Sequence, residues 1–149
     1  MKFAIVNIIT EDVHCTLNHV RPQENKRIAI KPRFGRKITQ ATDNERIWFV
    51  DLEVLVVGEE NEPTPFNLKV RTRGVFEVEG LDSEQDKKVF NLSATETVFP
   101  YLRSVVATLT GSAFNQPFML PAIPTAAIFP EDREIEKFEV PNQPTPEQS

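Results

Sequence analysis

Phe66-Asn67-Leu68-Lys69-Val70-Arg71-Thr72-Arg73-Gly74-Val75-Phe76-Glu77-Val78-Glu79 is the stretch of sequence that decides the fold. Phe66, Leu68, Val70, Phe76 and Val78 fall on one side of an extended chain, and Asn67, Lys69, Arg71, Arg73, Glu77 and Glu79 on the other. Side chains alternate in direction along a strand, so this period of two predicts an antiparallel sheet with one buried and one solvated face. The preceding segment, Ile47 to Val57, reads the same way: Trp48, Val50, Leu52, Val54 and Val56 share one face, and Asp51 and Glu53 mark the other. Gly58 ends that strand, and the acidic, proline-containing loop Glu59 to Pro65 returns the chain.

Toward the N-terminus, Phe3 to Leu17 carries Phe3, Ile5, Ile9, Val13 and Leu17 in short alternating groups. It predicts a long strand interrupted near Glu11 and Asp12. Ile28 to Gln40 is extended but weaker, and Pro32 argues for an edge strand. Toward the C-terminus, Gly80 breaks the alternation and the period becomes helical. Ser93-Ala94-Thr95-Glu96 has the spacing of a capping box, which predicts a helix start at Ser93. Val98, Leu102, Val105, Val106 and Leu109 then form an apolar stripe, and Gly111 supplies the expected stop. Pro100 lies inside this segment, so a kink is expected, or a start closer to Pro100.

Between Ala113 and Pro130 there is no charge; Phe114, Phe118, Met119, Leu120, Ile123, Ile128 and Phe129 are interleaved with Pro117, Pro121, Pro124 and Pro130. The prolines forbid a continuous helix or an interior strand, which leaves an extended apolar strap. Two readings stay open: the strap covers this chain's own sheet, or it walls a groove for other chains. Residues 1–130 are read as one domain and 131–149 as an acidic, proline-rich tail whose composition predicts disorder. One helix covers only part of four strands, and Trp48, Phe49 and Phe76 add apolar area beyond that layer, so a homo-oligomer is expected.

The chain has 149 residues, 40% hydrophobic and 26% charged, which fits one globular domain. No apolar run is longer than four residues, as in Val54 to Val57, far short of a membrane span, and no apolar leader with a cleavage site begins the sequence. Cys15 is the single cysteine, which excludes an internal disulfide and suits a reducing, cytoplasmic compartment. A net charge of -5 opposes indiscriminate binding to nucleic acid or anionic membrane. That average hides six basic residues and no acid between Lys26 and Lys37. Single-strand nucleic-acid platforms combine charge with several stacking aromatics, and this stretch has only Phe34, so a nucleic-acid module is the weaker alternative.

No phosphate loop, Cys-x-x-Cys, His-Glu-x-x-His or Gly-x-Ser-x-Gly occurs, so neither an enzyme nor a cofactor is expected. His14, Cys15 and His19 form the one soft-ligand cluster, yet on a strand His14 and Cys15 point to opposite faces.

Phe99-Pro100-Tyr101-Leu102-Arg103, together with Gly74-Val75-Phe76 and Gly80 at the end of a strand, resembles the SecB export-chaperone family. The strap Phe118-Met119-Leu120-Pro121-Ala122-Ile123-Pro124 with Ile128-Phe129 is similar to that family's Leu-, Pro- and Phe-rich segment. The resemblance covers most of Phe3 to Phe129. It implies an α+β fold: a four-stranded antiparallel sheet, one long helix and the proline-rich strap, in a homotetramer built as a dimer of dimers. It implies an ATP-independent holdase for unfolded or precursor polypeptides. By position, Phe66, Phe118, Leu120, Ile128, Phe129, Ile38 and Trp48 would line the groove. Leu68, Val70, Leu102, Val105 and Val106 would support the oligomer. Export members dock on the SecA motor through an acidic sheet surface, of which Asp12 is retained while Thr16, Asn67 and Lys69 depart. SecB-like members that protect the antitoxin of a toxin-antitoxin pair offer the alternative role.

Overall fold

A computed structural model describes residues 1–18, 30–58, 64–114, 117–120 and 124–129. Four strands, β1 (Lys2–Leu17), β2 (Arg33–Gln40), β3 (Ile47–Val56) and β4 (Phe66–Glu79), are followed by a long helix α1 (Glu84–Phe114) and a short α2 (Thr125–Ile128). The strands form one antiparallel sheet in the order β1-β4-β3-β2. Its buried face is the one the alternation predicts: Val50, Leu52, Val54 and Val56 of β3 and Phe66, Leu68, Val70, Phe76 and Val78 of β4 enter a single core. Such a core stabilises the fold by roughly 1.5–3 kcal/mol for each large side chain fully removed from water.

The expected interruption of β1 is a bulge between Thr10 and Asp12, with a second between Ile5 and Asn7. A bulge inserts one residue without an opposite partner, so Glu11 and Asp12 both serve the outer face instead of alternating across the sheet. β2 is the edge strand that Pro32 indicated, although it begins at Arg33; positions 28–29 lie outside the described residues.

The helix start differs from expectation. α1 begins at Glu84, and Ser93 lies within it, where its carbonyl accepts from the Thr97 hydroxyl at 2.8 Å. The working cap is Ser83, whose Oγ accepts from the Asp86 amide at 3.0 Å. Gly80, with φ of 76°, takes the left-handed turn that carries the chain from β4 to this cap. The helix runs on through Pro100 and past Gly111. It lies lengthwise over β4, β3 and β1: Phe90 packs on Phe3 and Phe76 at one end of the sheet, and the segment after Thr110 reaches Phe66 at the other. Gly74 marks the closest approach, because a Cβ there would collide with Val98 Cγ2 and lie 2.8 Å from Phe76 Cε2.

Trp48, Phe49 and Phe76 do not supply the uncovered apolar area from which a homo-oligomer is expected. Phe76 is in the core, Trp48 packs on Phe90, and Phe49 is capped by the Arg73 guanidinium 4.4 Å from its ring. Exposed large apolar side chains gather instead on β1, at Ile5, Val6, Ile9, Val13 and Leu17. The tail at 131–149 lies outside the described residues.

Candidate functional site

Because α1 covers β4, β3 and β1, the inner face of the edge strand β2 needs another cover. That face carries Phe34, Arg36 and Ile38, in register with Val54, Leu52 and Val50. Phe34 meets Phe99 of α1 at 5.9 Å between ring centroids. Arg36 donates to Thr95 Oγ1 at 3.0 Å and holds its guanidinium 4.6 Å from the centre of the Phe129 ring. One cation thereby joins β2, α1 and the end of the strap. Sequence reasoning missed Arg36; its signal was its phase, between Phe34 and Ile38 on the inward-facing side of β2.

The described parts of the strap lie on the sheet and helix of their own chain. Phe118 packs on Phe66 at 5.8 Å, and its amide donates to Thr110 Oγ1 at 2.7 Å. The Leu120 carbonyl accepts from Arg103 Nε at 3.3 Å. Leu120, Phe129 and Phe66 are buried, while Phe118 and Ile128 are half-buried and Met119 is exposed. Its buried residues Leu120 and Phe129 complete the core, and Phe118 and Ile128 pack against that core half-buried.

The structure brings Phe66 together with Phe118, and Phe129 against β2, but Trp48 stands apart. Trp48 pairs with Phe76, ten residues along β4 from Phe66, or about 33 Å at the rise of a strand. These residues therefore do not meet in one pocket. Four of the five residues expected at an oligomer interface, Leu68, Val70, Leu102 and Val106, have side chains buried inside this chain, and Val105 is half-buried.

The outer sheet face is a lattice of ion pairs. Arg73 binds Asp51 through two nitrogens at 2.7 and 3.0 Å and Glu11 at 2.6 Å. The hydrogen bond to Asp51 is the main cause that pushes the Arg73 guanidinium above its ordinary pKa; partial burial opposes it, and the charges of Asp51 and Glu11 add to it. Lys69 lies 3.5 Å from Asp12 and 3.9 Å from Glu53. Asp12 is therefore a neutralised member of a mixed surface, not the centre of an acidic one. His14 and Cys15 do point to opposite faces, opposite Lys69 and Leu68 respectively. Among the described residues no cluster of His, Cys, Asp and Glu is arranged to hold a metal, and no helix is long and apolar enough to cross a membrane.

A four-stranded antiparallel sheet with one long helix along it defines an α+β scaffold, and the described parts of the strap pack on that sheet and helix. Residues 3–136 match the family described as preprotein translocase subunit SecB, and the chain belongs to that chaperone family. An uncharacterised protein of Methanocaldococcus jannaschii is 25% identical over 147 residues, covering 97% of this chain and 92% of that one. The protein-export protein SecB of Rickettsia typhi is 27% identical over 92 residues, covering 62% of this chain and 60% of the rickettsial protein. Among solved structures, a SecB-like chaperone of Mycobacterium tuberculosis, in complex with a peptide from the HigA1 antitoxin, superposes with a TM-score of 0.67. That match has 14% sequence identity and covers 81% of this chain and 90% of the other.

Proposed function

We propose that this protein is an ATP-independent holdase that keeps unfolded polypeptide in the cleft between β2 and the strap. The observation that carries the reading is that Ile38, Phe118 and Ile128 are apolar and only half-buried while packed against the core. Each apolar client side chain buried there would contribute roughly 1.5–3 kcal/mol, so several shallow contacts suffice for capture without strict sequence selection. Membership of the SecB family and the peptide-bound state of the mycobacterial structure support the reading.

The deciding experiment is suppression of aggregation of a chemically unfolded client without nucleotide. Phe118→Ser should weaken it while leaving the native mass unchanged; no suppression by the wild-type chain at several-fold excess refutes the reading. The cytoplasm is the proposed compartment, and a homotetramer the proposed assembly, now through the exposed apolar side chains of β1 rather than the buried stripe of α1. Val13→Glu with Ile9→Glu should then lower the native mass.

A dedicated antitoxin chaperone is the second reading, and the outer face favours it over delivery to a SecA motor. Glu11, Asp12, Asp51 and Glu53 each have a cationic partner there, so little acidic potential remains for a docking partner. A pull-down from native lysate separates the two: many precursors indicate export, one small partner a dedicated client.

A further inference from the structure

Between Pro117 and Pro121 the strap carries three apolar residues of alternating exposure: Phe118 is half-buried against Phe66, Met119 is 58% exposed and Leu120 is buried. Two side chains of α1 hold the backbone of this tripeptide. The fully buried Thr110 donates its hydroxyl proton to the Val106 carbonyl at 2.7 Å and accepts from the Phe118 amide at 2.7 Å, so its oxygen is used in both directions. Arg103 Nε donates to the Leu120 carbonyl at 3.3 Å. Thr110 and Arg103 stand about two turns apart on one face of α1, and the strap atoms they hold follow in the opposite order, so the tripeptide runs back along the helix. The flanking prolines add to the hold, because Pro117 fixes its own φ and the residue before Pro121 is confined to extended conformations. With Phe118 and Leu120 packed on the core, Met119 is an apolar side chain whose backbone is fastened on both sides and which is nevertheless exposed.

We propose that Met119 is the strap's contact with an apolar side chain of a client polypeptide, and that Thr110 and Arg103 are positioning residues that hold it out to that client. The inference deepens the holdase reading and rests on it. Leu120 cannot serve, because its side chain already lies in this chain's own core. Methionine suits a client without fixed sequence: its unbranched, polarisable thioether adapts to aliphatic and aromatic partners alike. Fastening its backbone in advance removes part of the ordering cost that a loose segment incurs on capture. A strap free to move would lose that advantage, so the two hydrogen bonds bear on client affinity through Met119.

The test uses the full chain and a fluorescein-labelled peptide of alternating leucine and serine, with affinity read by fluorescence anisotropy. Met119→Gln should bind about tenfold more weakly, as expected when one apolar side chain loses a partly buried contact, and Met119→Leu should bind like the wild-type chain. Thr110→Val keeps the side chain's shape and removes its hydroxyl. It should weaken binding about fivefold in the wild-type background and add clearly less to Met119→Gln, and Thr110→Ser should restore the wild-type affinity. A purely structural role for Thr110 would weaken the two backgrounds equally. Where Thr110→Val does not fold, Arg103→Met puts the same question at the Leu120 carbonyl, from a half-buried position that tolerates change. Full-strength binding by Met119→Gln, or equal losses in the two backgrounds, overturns the proposal, while the wild-type chain's own binding keeps the holdase reading. No binding by the wild-type chain overturns both.

Discussion

Replacing Gly74 by alanine tests the closest approach between helix and sheet. The added Cβ would collide with Val98 Cγ2 and sit 2.8 Å from Phe76 Cε2, and both neighbours are buried. Neither yields easily. Val98 is β-branched on a helix, which holds it to one favoured rotamer, and Phe76 is locked edge-on against Phe90 at 5.6 Å. Relief must come from displacement of α1, and overpacking of this kind costs about 1–3 kcal/mol. Loss of backbone freedom in the unfolded chain returns about 0.4–1 kcal/mol, leaving a net destabilisation of about 1.3 kcal/mol. At about 3 °C per kcal/mol for a chain of this size, thermal unfolding should fall by about 4 °C. Gly35→Ala is the control, because its Cβ would meet only Glu53 Cβ, at 3.9 Å, and its unfolding temperature should hold or rise. Val98→Ala in the Gly74→Ala background should cost about 1 kcal/mol less than in the wild-type chain. Wild-type stability for Gly74→Ala, or strict additivity of the two changes, refutes the close-packing account of the Gly74-Val75-Phe76 motif.

Three other measurements probe separate parts of the structure. Ser83→Ala should destabilise by about 1 kcal/mol in urea unfolding and Ser93→Ala by clearly less, since only Ser83 Oγ caps the helix; the reverse order would restore the later start. Arg73→Ala should cost about 2 kcal/mol, less than for a fully enclosed pair because water reaches the site, whereas Lys69→Ala, in longer and more exposed pairs, should stay within about 0.5 kcal/mol. Burial pushes the Cys15 thiol pKa up, so at mildly alkaline pH it should alkylate more slowly in the native chain than in denaturant. Because the folded value is the higher one, the neutral thiol's contribution is intact at lower pH and is lost as pH rises through the folded pKa. Equal alkylation rates would place Cys15 in solvent.

The four strands and the buried face of the sheet were legible in the sequence because a period of two is local: each residue's side follows from its neighbour's. The edge position of β2 and the break in β1 near Glu11 were legible for the same reason, through Pro32 and a lapse in alternation. The helix start was not, since Ser83 and Ser93 are both serines with an acidic residue three positions on. Only the packing of Phe90 between Phe3, Phe76 and Trp48, and the left-handed turn at Gly80, select the earlier one. Composition announced an apolar strap but left open which surface it covered. That depends on Phe66 and Phe118, 52 positions apart in sequence, becoming neighbours. The surroundings of Arg36 were further still from view: it lies in a basic run that reads as solvated, and its contacts with Thr95 and Phe129 form only where α1 and the strap meet β2. Alternation and caps are written in consecutive residues, whereas contacts such as these arise where separated segments meet, and those distances exist only in the folded chain.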